Sequence, residues 1–276
     1  MSAVPTYPPT LPTPAPAPKR EPWPEIDRLP ADAVVEIPVN LGWYAAAKTV
    51  FDYAVALALL PLALVLMAFA AIAVKITSPG PVFYTQTRVG LNGRKYKIIK
   101  IRSMRLNCES VSGIQWSQKG DSRITRVGQI MRVTHIDELP QLFNVLLGHM
   151  SLVGPRPERP EVIQAKGLNQ LVPGYRHRLR VKPGVTGLAQ CQLPADSDVT
   201  SVRYKVVYDL YYVGNQSLLL DIRLIVATLF KAVAAGPNTL RRVFFLPDRH
   251  DVADGFLANI VPVPDDSETV PALQPA

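Results

Sequence analysis

A chain of 276 residues with 48% hydrophobic content holds one ordinary domain plus appendages, and its net charge of +8 calls for an anionic partner. Two isolated cysteines, Cys108 and Cys191, and four scattered histidines, His135, His149, His177 and His250, exclude a disulfide-dense scaffold and a zinc pattern; two reduced thiols are expected. Charge alone leaves nucleic acid, anionic lipid headgroups and nucleotide-diphosphate substrates as candidates.

Residues 1–30 carry ten of the 27 prolines, so residues 1–40 are expected to form a disordered or polyproline II tail. The tail lacks the apolar core and small-residue cleavage site of a signal peptide. From Tyr53 to Val74 there are 22 residues without a charge. A straight helix of that length covers about 33 Å, enough for a bilayer core. Residues 41–77 are therefore read as a membrane segment. Pro61 removes a backbone hydrogen bond within it and predicts a kink. Two geometries follow: a kinked span with the N-terminal tail across the membrane, or a re-entrant helix that returns the tail to the same face. Lys75, Arg88, Arg94 and Lys95 after the segment place the following domain in the cytoplasm.

Residues 78–246 are assigned to that domain. Ser78-Pro-Gly-Pro81 is a turn leaving the bilayer. Val82–Thr87 and Lys95–Ile101 alternate around Leu91-Asn-Gly93, which predicts a small β-hairpin. Helical periodicity then dominates over Thr125–Arg132, Glu138–Leu147, Pro160–Leu168 and a long stretch from Ser201 to Ala234 broken near Gly214-Asn215. Residues 247–276, with Asp265, Asp266 and Glu268, are expected to be a flexible tail. The fold class is α+β and predominantly helical.

The residues that carry chemistry cluster in 131–157. Asp137 and Glu138 are adjacent at the start of an amphipathic segment, where Thr134 is placed to cap and Pro140 fits an early turn. Acids at that position complement the helix dipole, a contribution under about 1 kcal/mol that calls for no cations. Arg132 lies upstream, however, and Arg156 sits between two prolines in Gly154-Pro-Arg-Pro157. Nearby arginines lower a carboxylate pKa, and an ionised carboxylate attacks phosphorus or holds Mg²⁺. Flanking prolines stiffen a guanidinium for bidentate phosphate recognition. The turn-rich loop Lys182-Pro-Gly-Val-Thr-Gly187 offers backbone amides to phosphate without P-loop spacing. Tyr204, Tyr208, Tyr211 and Tyr212 read as core or interface anchors.

Ordered motifs extend the pattern: Ser78-Pro-Gly-Pro81, Gln86-Thr-Arg-Val-Gly90, Lys100-Ile-Arg-Ser-Met104, Asp121-Ser-Arg-Ile-Thr-Arg126, Asp137-Glu-Leu-Pro-Gln141, Met150 to Pro157, Lys182 to Gln190 and Tyr208-Asp-Leu-Tyr-Tyr212. Together, over roughly Lys48 to Lys231, they resemble the bacterial sugar transferases, the monotopic polyprenyl-phosphate phosphoglycosyl transferases that initiate polysaccharide assembly. The resemblance implies that Asp137 attacks the β-phosphorus of a UDP-sugar and expels UMP, after which an undecaprenyl-type polyprenyl phosphate takes the phosphosugar. It implies Mg²⁺ held by Glu138 with Asp137, and phosphoryl oxygens bound by Arg132, Arg156, Lys100 and Arg102. It favours the re-entrant geometry broken at Pro61, an anionic inner-membrane surface, and a catalytic domain on its cytoplasmic face. It leaves a homo-oligomer and downstream glycosyltransferases open as partners. Two departures stand out: Lys48-Thr49 replaces the usual Lys-Arg at membrane entry, and Ala189-Gln-Cys-Gln-Leu-Pro-Ala195 lacks an arginine that the family's loop carries. The part containing Tyr208–Tyr212 looks more like hexose-1-phosphate transferases than amino-sugar ones. Two rival readings are a non-enzymatic basic membrane adaptor and a metal-dependent hydrolase of lipid diphosphates. Nucleic acid is disfavoured because the basic residues lack a binding module and accompany a membrane segment.

Overall fold

The computed structural model describes residues 21–39, 42–106, 108, 116, 120–232 and 236–261. In chain order, α1 (Pro24–Asp27) and β1 (Val34–Val35) precede the long α2 (Trp43–Thr77). Strands β2 (Phe83–Val89) and β3 (Lys95–Ile101) follow, then α3 (Arg126–Thr134), a 3-10 turn over Ile136–Glu138, and α4 (Gln141–Leu146). Next come β4 (Ser151–Val153), α5 (Pro160–Ala165), α6 (Leu168–Leu171), a 3-10 segment over Tyr175–Arg180, and β5 (Gly184–Thr186). The chain continues through α7 (Leu188–Gln192), α8 (Val199–Gly214), α9 (Leu218–Ala232), α10 (Pro237–Val243), α11 (Arg249–Leu257) and β6 (Ile260–Val261).

The α2 helix shows two different faces. Ala56, Ala63, Met67, Ala70 and Val74 form a buried stripe at roughly helical spacing, and α2 packs it against α3, the 3-10 turn and α4. The alanines let these elements approach closely. Leu57, Leu62, Phe69, Ile72 and Ile76 point outward, each more than half exposed. Holding five such side chains in water forfeits about 2 kcal/mol apiece, so this face belongs in lipid. Only 22% of the most apolar window is buried in protein, unlike the core helix of a soluble domain. The break expected at Pro61 does not interrupt the helix. Proline's φ is compatible with a helix and its ring removes one bond, which bends such a segment without ending it.

At the entry to α2, a buried polar network joins the helix to the domain. Asp221 of α9 is fully buried and accepts from Tyr44 Oη at 2.8 Å, Lys48 Nζ at 2.9 Å and Tyr212 Oη at 2.7 Å. Asp52 accepts from Ser151 Oγ at 2.7 Å and the Leu152 amide at 3.3 Å, and lies 3.5 Å from Lys48. At the exit, Arg102 donates to the carbonyls of Pro79 at 2.7 Å and Ser78 at 2.8 Å.

β2 and β3 pair antiparallel over seven residues, from Phe83↔Ile101 to Val89↔Lys95. The turn places Asn92 and Gly93 at φ 52° and 77°, the left-handed region that asparagine and glycine tolerate best. β4 and β5 pair parallel at Ser151↔Gly184 and Val153↔Thr186, bringing the Gly154–Pro157 segment beside the Lys182–Gly184 loop. A Cβ on Gly154 would sit 2.5 Å from the Lys182 carbonyl oxygen, so that crossing requires glycine.

The terminal segments differ from expectation. Trp23 is buried, stacks edge-on against Tyr204 at 5.4 Å, and its amide donates to Tyr204 Oη at 3.1 Å. β1 pairs antiparallel with β6, and Arg180 donates to the Ile37 carbonyl at 2.8 Å. Asp248 opens α11 with a reciprocal capping box. Residues 21–39 and 248–261 are therefore folded where tails were expected, because sparse anchors (Trp23, Ile26, Val35, Val252, Phe256) pack within proline-rich or acidic surroundings. Residues 1–20 and 262–276 lie outside the described residues.

Candidate active site

The acidic pair occupies a tight corner. Thr125 caps α3 by accepting from the Gly128 amide at 2.9 Å, and the helix continues through Thr134. Thr134 is its last residue, with its hydroxyl bonded back to the Ile130 carbonyl at 2.9 Å, so it does not cap the segment that follows, which has no side-chain cap among the described residues. His135 then adopts a left-handed backbone (φ 57°) that stops α3 and starts the 3-10 turn carrying Asp137 and Glu138. Pro140 follows directly before α4.

The two carboxylates have opposite environments. Glu138 Oε1 accepts from Lys100 Nζ at 2.7 Å and Arg156 Nη2 at 2.8 Å. Burial would raise its pKa, but the Arg156 and Lys100 charges and hydrogen bonds hold it well below the ordinary carboxylate range. Asp137 is 6% exposed and makes no side-chain hydrogen bond among the described residues. Burial and the adjacent Glu138 charge push its pKa up to about 6, against the opposing fields of Lys100, Arg132 and Arg156. The spacing argument expected arginine to lower it. The correction is physical: the cations are drawn first to Glu138, and desolvation governs Asp137.

Lys100, Arg132 and Arg156 thus converge on the pair from β3, α3 and the loop after β4. Burial lowers the Lys100 and Arg132 pKa values, with Glu138 and Asp137 respectively the leading opposing charges. Arg132 donates through Nε to Ser103 Oγ at 2.9 Å, its one hydrogen bond among the described residues, which leaves the end of the guanidinium unpaired. Arg156 is braced through the backbone. Its carbonyl accepts from Arg178 at 2.7 Å, and Arg178 is in turn held by Asp209 at 2.6 Å. The Pro157 carbonyl accepts from Arg88 at 3.1 Å. Arg102 stands apart, engaged at the exit of α2.

The Lys182–Gly187 loop plays a different part from the one its composition suggests. The Gly184 amide donates to the Pro155 carbonyl at 3.0 Å, and the Ser151 and Gly154 amides donate back to Pro183 and Thr186 at 2.9 Å. It braces the Arg156 loop instead of presenting free amides. Tyr204, Tyr208 and Tyr212 belong to the core.

Sequence reasoning missed three participants. Ser103 orients Arg132. His135 shapes the corner, and burial lowers its imidazole pKa against the pull of Glu138. Lys231 of α9 donates to the Gln190 carbonyl and lies within electrostatic reach of His135 and Arg156. Adjacency to Asp137 could have flagged His135; Lys231 has no local signal.

The described residues contain no cluster of three or more metal-ligating side chains. An adjacent carboxylate pair with one member free of hydrogen bonds nonetheless fits Mg²⁺, which keeps most of its waters and binds one or two carboxylates plus substrate phosphates.

Residues 43–235 match the bacterial sugar transferase family model. An exopolysaccharide production protein PSS of Rhizobium leguminosarum bv. phaseoli is 44% identical over 193 residues, covering 68% of this chain and 96% of that protein. A UDP-N-acetylgalactosamine-undecaprenyl-phosphate N-acetylgalactosaminephosphotransferase of Aeromonas hydrophila is 42% identical, over 67% of this chain and 43% of its own length. A UDP-glucose:undecaprenyl-phosphate glucose-1-phosphate transferase of Xanthomonas campestris pv. campestris is 41% identical, over 68% of this chain and 39% of its own length. The chain thus spans under half of the last two proteins, and their names divide between an amino sugar and a hexose. With the acid pair, its basic frame and the lipid-facing helix all falling within the matched residues, the chain belongs to the bacterial sugar transferase family.

Proposed function

We propose that this protein transfers a sugar 1-phosphate from a UDP-sugar to a membrane polyprenyl phosphate of the undecaprenyl type, the opening step of exopolysaccharide or related glycan assembly. The observation that carries the reading is the asymmetric pair: a clamped, charged Glu138 beside an unbonded Asp137 within a cluster of cations. Asp137 is the nucleophile. With its pKa near 6 it is mostly ionised at neutral pH, and a desolvated carboxylate is a stronger nucleophile than a hydrated one. Its oxygen bonds to the β-phosphorus as the bond from that phosphorus to the α–β bridging oxygen breaks, and UMP leaves with the electron pair. The polyprenyl phosphate oxygen then displaces Asp137. Arg132 and Arg156 face the developing negative charge, since phosphoryl transfer depends mainly on positioning and charge neutralisation. Asp137 and Glu138 would hold Mg²⁺, which supplies neutralisation of the diphosphate.

The second part of the proposal is monotopic placement: α2 dips into one leaflet, bends at Pro61 and returns. The support is that residues before α2 (Trp23 to Ile37) and after it pack on one body, which a crossing helix would separate. We place that body on the cytoplasmic face of the inner membrane.

The test is to incubate full-length protein with a UDP-sugar panel and Mg²⁺, measuring UMP release and trapping of labelled sugar phosphate. Wild type should retain label on Asp137 and Asp137→Asn should not; label on the Asn variant refutes the nucleophile. Release of free sugar phosphate without lipid acceptor would favour a hydrolase. For the topology, a cysteine introduced at Glu25 should react with an impermeant reagent only from the cytoplasmic side, and protection there supports a span.

A further inference from the structure

A second cationic site, which does not include Asp137, straddles the C-terminal edge of the matched family region. α10, the loop after it and α11 close over the end of α8 and the start of α9, leaving a cleft of about 610 Å³. Arg223, Arg241 and Arg242 line it, with Phe245 at its rim. None of the three guanidinium groups has a hydrogen bond or ion pair within the described residues. Two carboxylates also line the cleft, but both are engaged in capping α11. Asp248 Oδ1 accepts from the amides of His250 at 2.8 Å and Asp251 at 3.0 Å, and Asp251 Oδ2 accepts from the Asp248 amide at 2.9 Å. The cleft keeps one positive charge in excess and its arginine donors unused, a combination suited to a phosphate diester.

Its surroundings are apolar on the outside. Phe245 is 79% exposed and held at φ 50°, a left-handed conformation that is strained for a bulky residue. Val243 is exposed beside it, and Phe244 stacks edge-on against Phe230 of α9 at 5.3 Å. On α9, Leu219, Ile222, Leu229 and Phe230 face outward while Leu220, Leu224 and Ala227 are buried, so the outer face is as apolar as the inner. Arg223 follows Ile222 on that outer side. The same helix carries Asp221, which receives Tyr44 and Lys48 where α2 enters the lipid. Guanidinium donors and exposed aromatic carbon therefore stand together at the depth of the headgroups.

We infer that this cleft is a binding site for the headgroup phosphate of an anionic phospholipid, formed by the end of the family region together with the segment that follows it. It rests on the membrane placement above and is independent of the chemistry assigned to Asp137. The occupant is a lipid and not free phosphate, because the arginines adjoin outward-facing Phe245, Val243 and Ile222, which an inorganic ion would leave in water.

The test uses the full chain in a neutral detergent, titrated with phosphatidylglycerol or phosphatidylcholine, with bound lipids counted by native mass spectrometry. Wild type should retain phosphatidylglycerol in preference to phosphatidylcholine. Each Arg→Gln change at 223, 241 and 242 should lower that preference about fivefold, and the triple variant should approach parity. Phe245→Ser should weaken retention of both lipids while leaving their ratio nearer to wild type. UMP release in detergent should be unchanged in all of them, so loss of lipid preference and loss of catalysis are read separately. If the triple variant does not fold, Arg242→Gln alone decides, since that side chain is exposed. The inference is overturned by an unaltered preference in these variants, by displacement of the lipid with millimolar inorganic phosphate, or by a change in oligomeric state at unaltered lipid preference.

Discussion

Two buried charge clusters lie at different places on the same domain, and they are wired differently. Around Lys48, Asp52 and Asp221, every carboxylate oxygen has a partner: tyrosine hydroxyls, a serine, a backbone amide or the lysine. Around Asp137 and Glu138, one carboxylate is clamped twice and its neighbour makes no side-chain hydrogen bond among the described residues. A closed network resists rearrangement and holds elements together. An open one keeps a desolvated base beside a guanidinium, that of Arg132, whose end has no partner among the described residues, which is costly unless a ligand completes it. Charge count does not separate the two clusters; the bookkeeping of hydrogen bonds does.

The sharpest way to break this contrast is Asp137→Asn, which keeps shape and removes charge. UMP release should fall by about 10⁴-fold or more, as for a nucleophile, and the melting temperature at neutral pH should rise, because a raised pKa means that ionised Asp137 destabilises the fold; turnover above a hundredth of wild type contradicts the assignment. Lys48→Met in the closed network should do the reverse. It leaves Asp52 and Asp221 uncompensated and should cost about 3–5 kcal/mol of stability, read by thermal unfolding in detergent. Turnover per folded molecule should hold, and a loss under about 1 kcal/mol would show that the network is not a structural latch. Arg156→Lys sharpens the open side, because a point charge replaces a planar fork. We expect about 100-fold slower transfer with little change in unfolding.

The smallest effect concerns a third ion pair. Burial alone would raise the Asp121 pKa, but hydrogen bonds from the Arg123 side chain and amide hold it below its usual value. Its contribution is therefore present above the unfolded value of about 3.9 and is lost as pH falls through the folded value. Asp121→Asn should cost about 1 kcal/mol at pH 7, and the gap in melting temperature should close as pH falls below the folded value. A gap that widens in acid would reverse the sign.

Much of the site was legible because its signals are local. Adjacent acids, an arginine between prolines and a 22-residue uncharged run can each be read without knowing the fold. Lys100 became a site candidate through the resemblance, and the structure places it on Glu138. Arg102, equally basic and directly after the end of β3, turns to the carbonyls at the exit of α2. Residues two apart on an extended chain point to the same side, so alternation groups these two cations together and does not say that they meet different partners. The docking of Trp23 and the pairing of β1 with β6 were hidden for another reason. A few anchors suffice when a preformed surface receives them, and composition averages them away.

The sequence by itself determined the membrane helix, the acid pair and the proline-held arginine, because these follow from periodicity, adjacency and fixed φ. Tertiary structure alone decided which carboxylate is charged and which is left unbonded, since pKa depends on burial and on cations delivered from distant strands and helices. It alone also drew both flanks of the helix onto one body, because that depends on contacts between residues up to some two hundred positions apart.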